Sequence, residues 1–153
     1  MSGYDVHMES WGDAVDEAAR ADLDRLLETS IRLARTRLTE AAHFDPIAIV
    51  MTDDGRILEI EQDRSGLGKH PDIESLIRTA MSHLRQVRDQ ARSVALIMNT
   101  RLQQERSDAV EIRLEHRAGA AATVFEPYKK ATFGARIEYG TPRAFASRPL
   151  LWG

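Results

Sequence analysis

The chain has 153 residues and no cysteine, which fits one domain with a sizeable core and excludes disulfides, thiolate zinc sites and cysteine nucleophiles. Its formal net charge of −3, with 29% charged residues, predicts a mixed surface and argues against general nucleic-acid binding. The sequence contains no apolar run of the roughly 20 residues that span a bilayer and no signal-like opening, so we expect a cytoplasmic protein.

The amino-terminal part of the sequence is predicted to be a leader followed by a helix. Residues 1–12 show no sustained hydrophobic period, and we expect this leader to be mobile. Over residues 13–42, apolar side chains recur every three or four positions without Gly or Pro, which predicts one long amphipathic helix or two with a bend. An unbroken helix would run about 45 Å, so we expect part of its apolar stripe to contact another chain.

A hairpin and a second helix are predicted next. Two apolar runs flank an Asp-Asp-Gly turn over residues 47–60, which is a strong signal for a β-hairpin. Residues 62–70 form a polar loop with two glycines, and Pro71 then lies where a helix takes its first residue. The apolar spacing that follows predicts a helix to about Arg92.

Three or four sequential strands complete the predicted order. The continuous apolar run at residues 94–99 indicates a strand covered on both faces. Residues 109–116 alternate apolar and charged side chains, which indicates a half-buried strand with the charges on one face and His116 on the other. A return strand is predicted over residues 120–128, and a last short strand over residues 135–139.

The register of the two strands before and after residues 118–119 depends on the length of their turn. A two-residue turn there would set Ile112 opposite Phe125 and close one apolar face. The same register would set Glu111 against Glu126, which is an unfavourable pair on the charged face.

This order of elements predicts an antiparallel α+β domain over residues 13–140, with two main helices and five or six strands. Residues 141–153 are expected to form a C-terminal tail with exposed apolar side chains. Central strands covered on both faces require either a helix on each side or a partner subunit. Together with the long apolar stripe of the first helix, this favours a homodimer.

The first third of the order is similar to the opening of cytidine-deaminase-like domains. The segment GKHPDIESLIRTA resembles the helix that holds the first zinc ligand and the catalytic glutamate of that family. Glu74, however, follows His70 by four residues instead of two, and no cysteine is present to complete a zinc site. These departures exclude the deaminase activity.

The element order over most of the chain resembles that of roadblock and profilin-like domains, with AIVMTDDGRILEI matching their first hairpin. The resemblance is one of architecture. It implies dimers and partner binding, and it supplies no site residues.

Several polar clusters have the residue types of functional sites. Glu115 and His116 offer an acid and a base, but adjacent strand residues point to opposite faces, which favours a histidine at the end of a core strand. Backbone N–H groups of residues 66–70, with Lys69, resemble an anion cradle before a helix, although an ordered loop is the favoured interpretation.

No spacing in the sequence fixes a metal site or a cofactor site. His43 and Asp45 would need His70 or Asp53 to converge on them through folding, and no pair at His-x-x-x-His spacing is present. We therefore predict no bound metal and no cofactor.

The sequence favours a small non-catalytic binding or scaffold module that acts as a homodimer and has a protein partner. The alternative is a small-ligand-binding protein or enzyme that uses a pocket near the loop at residues 62–70, with Lys69, His70 and His116 as ligand-binding residues. A third possibility, binding of nucleic acid by the arginines of the second helix, is disfavoured by the net negative charge.

Overall fold

Two helices and a seven-stranded antiparallel sheet form the structure, a computed structural model that describes residues 16–131 and 136–152. The predicted leader at residues 1–12 lies outside this described part. In chain order the elements are α1 Glu17–Glu40, β1 Ile47–Thr52, β2 Ile57–Ile60, α2 Ile73–Val87, β3 Ala91–Leu102, β4 Ser107–His116, β5 Ala121–Lys130, β6 Ile137–Tyr139 and β7 Arg143–Ala146. The predicted antiparallel α+β class is confirmed, with β7 as an additional strand.

The sheet follows the order β2-β1-β3-β4-β5-β6, and β7 also pairs with β5. β6 pairs with the end of β5 at residues 128–130, whereas β7 pairs with its beginning at residues 122–125. The two short strands therefore lie end to end along one edge of the sheet, and β2 forms the other edge.

Helix α1 covers one face of the sheet, which we call the α1 face. It begins where the Asp16 side chain accepts a hydrogen bond from the backbone N–H of Ala19 at 2.7 Å. Its 24 residues correspond to about 36 Å, and its buried apolar side chains pack against residues of β1, β3, β4 and β5 in one core. The sheet of the same chain thus covers the stripe that we expected to contact another chain.

Helix α2 covers part of the opposite face, the α2 face, where it packs against β1 and β3. The central strands therefore have a helix on each side, which confirms the first of the two predicted arrangements. The helix ends at Val87, and a short 3₁₀ turn follows. The apolar spacing of the sequence predicts Ala91 to lie on this helix, but in the structure Ala91 begins β3. Neither described helix is long and apolar enough to cross a membrane.

The predicted register of β4 and β5 is wrong by one residue. The backbone N–H of His116 donates to Ala120 O at 2.8 Å, so the turn contains three residues, and Gly119 has a φ of +105° there. Ile112 consequently lies opposite Val124 instead of Phe125, and Glu126 lies on the α1 face. The one-residue shift moves Glu126 from the charged face into the core.

Candidate functional site

The structure does not bring together the three residues of the predicted small-ligand site. Lys69 and His70 are exposed and precede α2. His116 ends β4 opposite Ser93, close to the point where the chain leaves α2 and enters β3. The 15 residues of α2 separate these two places by about 22 Å. A ligand site at the loop of residues 62–70 stays a prediction that depends on Lys69 and His70.

The beginning of α2 already has an anionic group. The carboxylate of Asp72 accepts a hydrogen bond from the backbone N–H of Ser75 at 2.7 Å, and this bond lowers the pKa of Asp72. Gly66 and Gly68 both adopt positive φ angles, which fits an ordered turn before the helix. The favourable place for an anion at this helix end is therefore occupied by the side chain of Asp72.

His116 is buried at the end of β4 and takes part in a charged network with α1. Its Nε2 lies 2.9 Å from Asp22 Oδ2, and its Nδ1 accepts a hydrogen bond from the backbone N–H of Ala118 at 3.0 Å. The ring proton therefore resides on Nε2 and is donated to Asp22. Arg92 Nη2 donates to the other oxygen of Asp22 at 2.8 Å. Asp22 of α1 thus joins His116 of β4 to Arg92 of β3, and the other ring nitrogen of His116 is engaged within the turn that follows β4.

Ser93 completes the residue types of a catalytic triad, because it lies directly opposite His116 in the sheet. Its hydroxyl is fully buried and has no hydrogen-bond partner in the described part of the chain. A triad requires the second ring nitrogen of the histidine to face the serine, and in His116 that nitrogen accepts from Ala118. In this arrangement neither ring nitrogen of His116 is hydrogen-bonded to the hydroxyl of Ser93.

Glu115 binds the backbone of the C-terminal segment at residues 147–152, which we call the tail segment. Its carboxylate accepts three hydrogen bonds from backbone N–H groups, at 2.9 Å from Leu150, 2.8 Å from Leu151 and 2.7 Å from Trp152. Glu115 is only 6% exposed, and the Leu151 side chain is buried against the core of the α2 face. Of the apolar side chains that the sequence predicts to be exposed in the tail, Leu150 is 60% exposed, whereas Leu151 is buried against the sheet.

A cleft of about 250 Å³ lies between α2, strands β3 to β5 and the tail segment. We call it the apolar cleft, and its main lining side chains are Met81, Leu84, Leu96, Ala121, Leu150 and Leu151. Three charged residues, Arg113, Glu115 and Arg148, also line it. An apolar cleft with a few polar groups at its margin is the common form of a small-molecule site.

The part of the α2 face over β4, β5 and β7 is not covered by a helix. Phe145 of β7 is 53% exposed and packs edge to face on Phe125 of β5, with ring centroids 6.0 Å apart. Glu111 and Arg113 of β4 form an ion pair on the same face, and Arg143 of β7 pairs with the exposed Glu105. We call this surface the open patch. It combines exposed aromatic area with charges of both signs.

An ion pair between the buried Glu126 and the partly exposed Arg35 lies under the second half of α1. Arg35 Nε is 2.8 Å from Glu126 Oε1, and the guanidinium of Arg35 lies 4.1 Å from the ring centre of Tyr139. Burial raises the pKa of Glu126, although Arg35 acts in the opposite direction. Its second oxygen, Oε2, is buried without a hydrogen-bond partner among the described residues. This pair joins α1 to β5 across 91 positions of the chain, and no local pattern in the sequence indicates it.

Two of the four candidate metal ligands, the aspartates, form ion pairs with arginines. Asp45 pairs with Arg64 at 2.6 Å, and Asp53 pairs with Arg117 at 2.5 Å. Within residues 16–131 and 136–152, no group of three or more histidine and acidic side chains could hold a metal ion.

Comparison with known proteins leaves the function to be argued from this geometry. The structure contains the order of helix, two strands, helix and three strands, followed by β6 and β7. This is the order in which the sequence resembles roadblock and profilin-like domains. The chain matches no protein-family model, no curated protein and no solved structure.

Proposed function

We propose that this protein is a small cytoplasmic, non-catalytic binding or scaffold module, and that it acts as a homodimer whose two copies associate through the open patch. The observation that supports this function best is the exposure of Phe145, which packs on Phe125 but still leaves 53% of its surface in contact with solvent. Aromatic side chains are enriched at protein interfaces because they bury a large area at a small cost in side-chain entropy.

The charges of the open patch support a second copy of the same chain as the occupant. In a two-fold interface, a residue contacts the partner's equivalent of its own neighbour, so a surface with both signs of charge can match itself. Glu111 and Arg113 are neighbours on β4, and Arg143 lies across β5 from Glu111. A rotation that superposes the patch on itself can therefore set acidic and basic side chains opposite each other.

The bonding of the polar core residues supports a non-catalytic role. The proton donors and acceptors of His116 and Asp22 are engaged with each other, with Arg92 and with the backbone. Glu115 is engaged with the backbone of the tail segment. A general acid or base must instead reach a proton of the substrate through an available nitrogen or oxygen.

Sedimentation equilibrium of the full chain between about 1 and 100 µM tests the dimer directly. We expect a mass that rises toward twice the 17.2 kDa of the monomer as the protein concentration increases. A mass of one chain across the whole range would contradict the proposal. Addition of about 0.5 M salt should weaken the association only partly, because the aromatic contact is not screened.

A further inference from the structure

We propose that the apolar cleft binds a small organic carboxylate, meaning a molecule with a short hydrocarbon body that ends in one carboxylate group. The apolar cleft borders the open patch and shares Arg113 with it, but the inference rests on the lining of the cleft and does not depend on the dimer.

The shape and lining of the cleft determine the body of the ligand. The floor is formed by Leu96 and Ala121, and Met81 and Leu84 of α2 form one wall. These side chains have few polar atoms, so a ligand body that enters the cleft gains by leaving water. The volume of about 250 Å³ is below the roughly 300–1,000 Å³ of clefts that hold drug-sized molecules, which indicates a small ligand.

The charges at the margin determine the head group. Glu115 contributes the one negative charge of the lining, and its oxygens already accept three backbone N–H groups. Arg113 donates its Nε to Glu111 at 2.7 Å, whereas its terminal nitrogens have no hydrogen-bond partner in the described ranges. The described residues also provide no ion pair for Arg148. Glu111 therefore balances the charge of Arg113, and Arg148 is the lining cation without an ion pair among the described residues. One such guanidinium matches a ligand with a single negative charge, which a guanidinium binds in a bidentate fashion.

The tail segment supplies the remaining wall and holds it in place. Leu150 and Leu151 line the cleft. The backbone N–H of Leu151 donates to Glu115, and the backbone carbonyl of Leu151 accepts a hydrogen bond from Arg88 Nη1 at 3.1 Å. The cleft is therefore formed before a ligand enters, which avoids the entropic cost of ordering a wall on binding.

Tryptophan fluorescence provides a readout that needs no labelled ligand. The chain has two tryptophans, and Trp152 is next to Leu151 at the cleft, so a Trp11→Phe background leaves Trp152 as the single reporter. We would titrate this protein with octanoate, with 1-octanol as a probe of the body alone, and with acetate as a probe of the head group alone. Octanoate should saturate with a dissociation constant between about 10 µM and 1 mM. The dissociation constant of octanol should be higher than that of octanoate by a factor of about ten or more.

Three variants assign the binding to the cleft. Arg148→Gln should weaken octanoate binding about tenfold, and Arg85→Gln is the charge-matched control on the exposed side of α2. Ala121→Leu fills the floor of the cleft and should abolish binding of both octanoate and octanol. Circular dichroism and the unfolding midpoint show whether each variant is folded, and Arg148 is an exposed position where a substitution leaves the core unchanged.

The proposal is overturned if octanoate gives no saturable change in Trp152 fluorescence up to about 10 mM. It is also overturned if octanol binds as tightly as octanoate, or if Arg148→Gln and Arg85→Gln have equal effects. Each of these outcomes is independent of the sedimentation result, because binding is measured per chain.

Discussion

The carboxylate of Glu115 and the backbone N–H of Leu151 are joined by a hydrogen bond of 2.8 Å that connects the end of β4 to the C-terminal segment. Leu151 is separated from Glu115 by 36 positions in the sequence and is only 6% exposed. The hydrogen bond holds the backbone of Leu151 at the position in which its side chain is buried, and the buried side chain keeps the backbone N–H close to Glu115.

Replacement of Glu115 by alanine should release the tail segment. We expect a loss of about 2 to 4 kcal/mol in the free energy of unfolding, because three N–H groups lose a charged acceptor and Leu151 loses its anchor. Urea unfolding gives the stability, and a red shift of Trp152 emission in the folded protein reports the release.

Glu111→Ala is the matched control for Glu115→Ala, because both residues lie on β4 and on the α2 face. The ion pair of Glu111 with Arg113 is partly exposed, and we expect a loss of no more than about 1 kcal/mol. Equal effects of the two substitutions would contradict the role assigned to Glu115.

Asp22→Asn should destabilise the protein by about 2 to 3 kcal/mol. An asparagine has one acceptor oxygen, whereas His116 and Arg92 both donate to Asp22, so one buried donor would face an N–H group. Chemical denaturation measures the loss, with Asp24→Asn at an exposed position of α1 as the control that should change stability by less than about 0.5 kcal/mol. A stability unchanged by Asp22→Asn would show that the network contributes little.

Glu126 should make the stability depend on pH. Burial raises the pKa of Glu126 above its ordinary value of 4.5, so the folded state holds this proton more tightly than the unfolded state does. The contribution of Glu126 to stability is therefore complete below about pH 4.5, and it is lost as the pH rises through the raised value.

Glu126→Gln removes this titration. The stability of the wild type relative to this variant should fall as the pH increases above about 4.5 and then level off. Thermal unfolding between about pH 4 and 9 gives the difference, with the exposed Glu138→Gln as the control that keeps the wild-type profile. Parallel profiles of the wild type and Glu126→Gln would contradict the assigned direction.

Gly119→Ala tests the three-residue turn between β4 and β5. A methyl group at this position would meet no atom within 4 Å, so the cost is that of a side chain at a φ of +105°. We expect a loss of about 1 to 2 kcal/mol, measured by urea unfolding. Ala118→Ser in the same turn should have almost no effect, and equal stability of Gly119→Ala and the wild type would be incompatible with this backbone conformation.

The helices and the first hairpin were predictable because their signals are local. Apolar spacing and Asp16 at the start of α1, and the Asp-Asp-Gly turn between β1 and β2, act within a few residues. The end of α2 was less predictable, since Ala91 continues the apolar spacing of the helix and also fits the buried beginning of β3. Tertiary packing decided between the two.

The register of β4 and β5 was not predictable from the residues of the turn. Gly119 is compatible with a two-residue turn and with the three-residue turn that the structure contains. Because side chains alternate along a strand, this single residue decides whether Glu126 lies beside Glu111 or under α1 beside Arg35.

The polar networks were missed because their members are far apart in the chain. Asp22 and His116 are separated by 94 positions, and Arg35 and Glu126 by 91. In the sequence, Asp22 and Arg35 have the signs that the dipole of α1 favours, so nothing distinguishes them from surface charges. Only the packing of α1 on the sheet brings each pair together.

The most direct test of the proposed homodimer is sedimentation equilibrium of two single substitutions at opposite edges of the sheet. Phe145 on β7 is 53% exposed within the open patch, and Leu58 on β2 is 45% exposed outside it, so Phe145→Ser and Leu58→Ser remove comparable exposed apolar area. We expect Phe145→Ser to raise the dissociation constant of the dimer about tenfold or more, and Leu58→Ser to leave it unchanged. Monomeric wild-type protein at all concentrations, or equal effects of the two substitutions, would contradict the account.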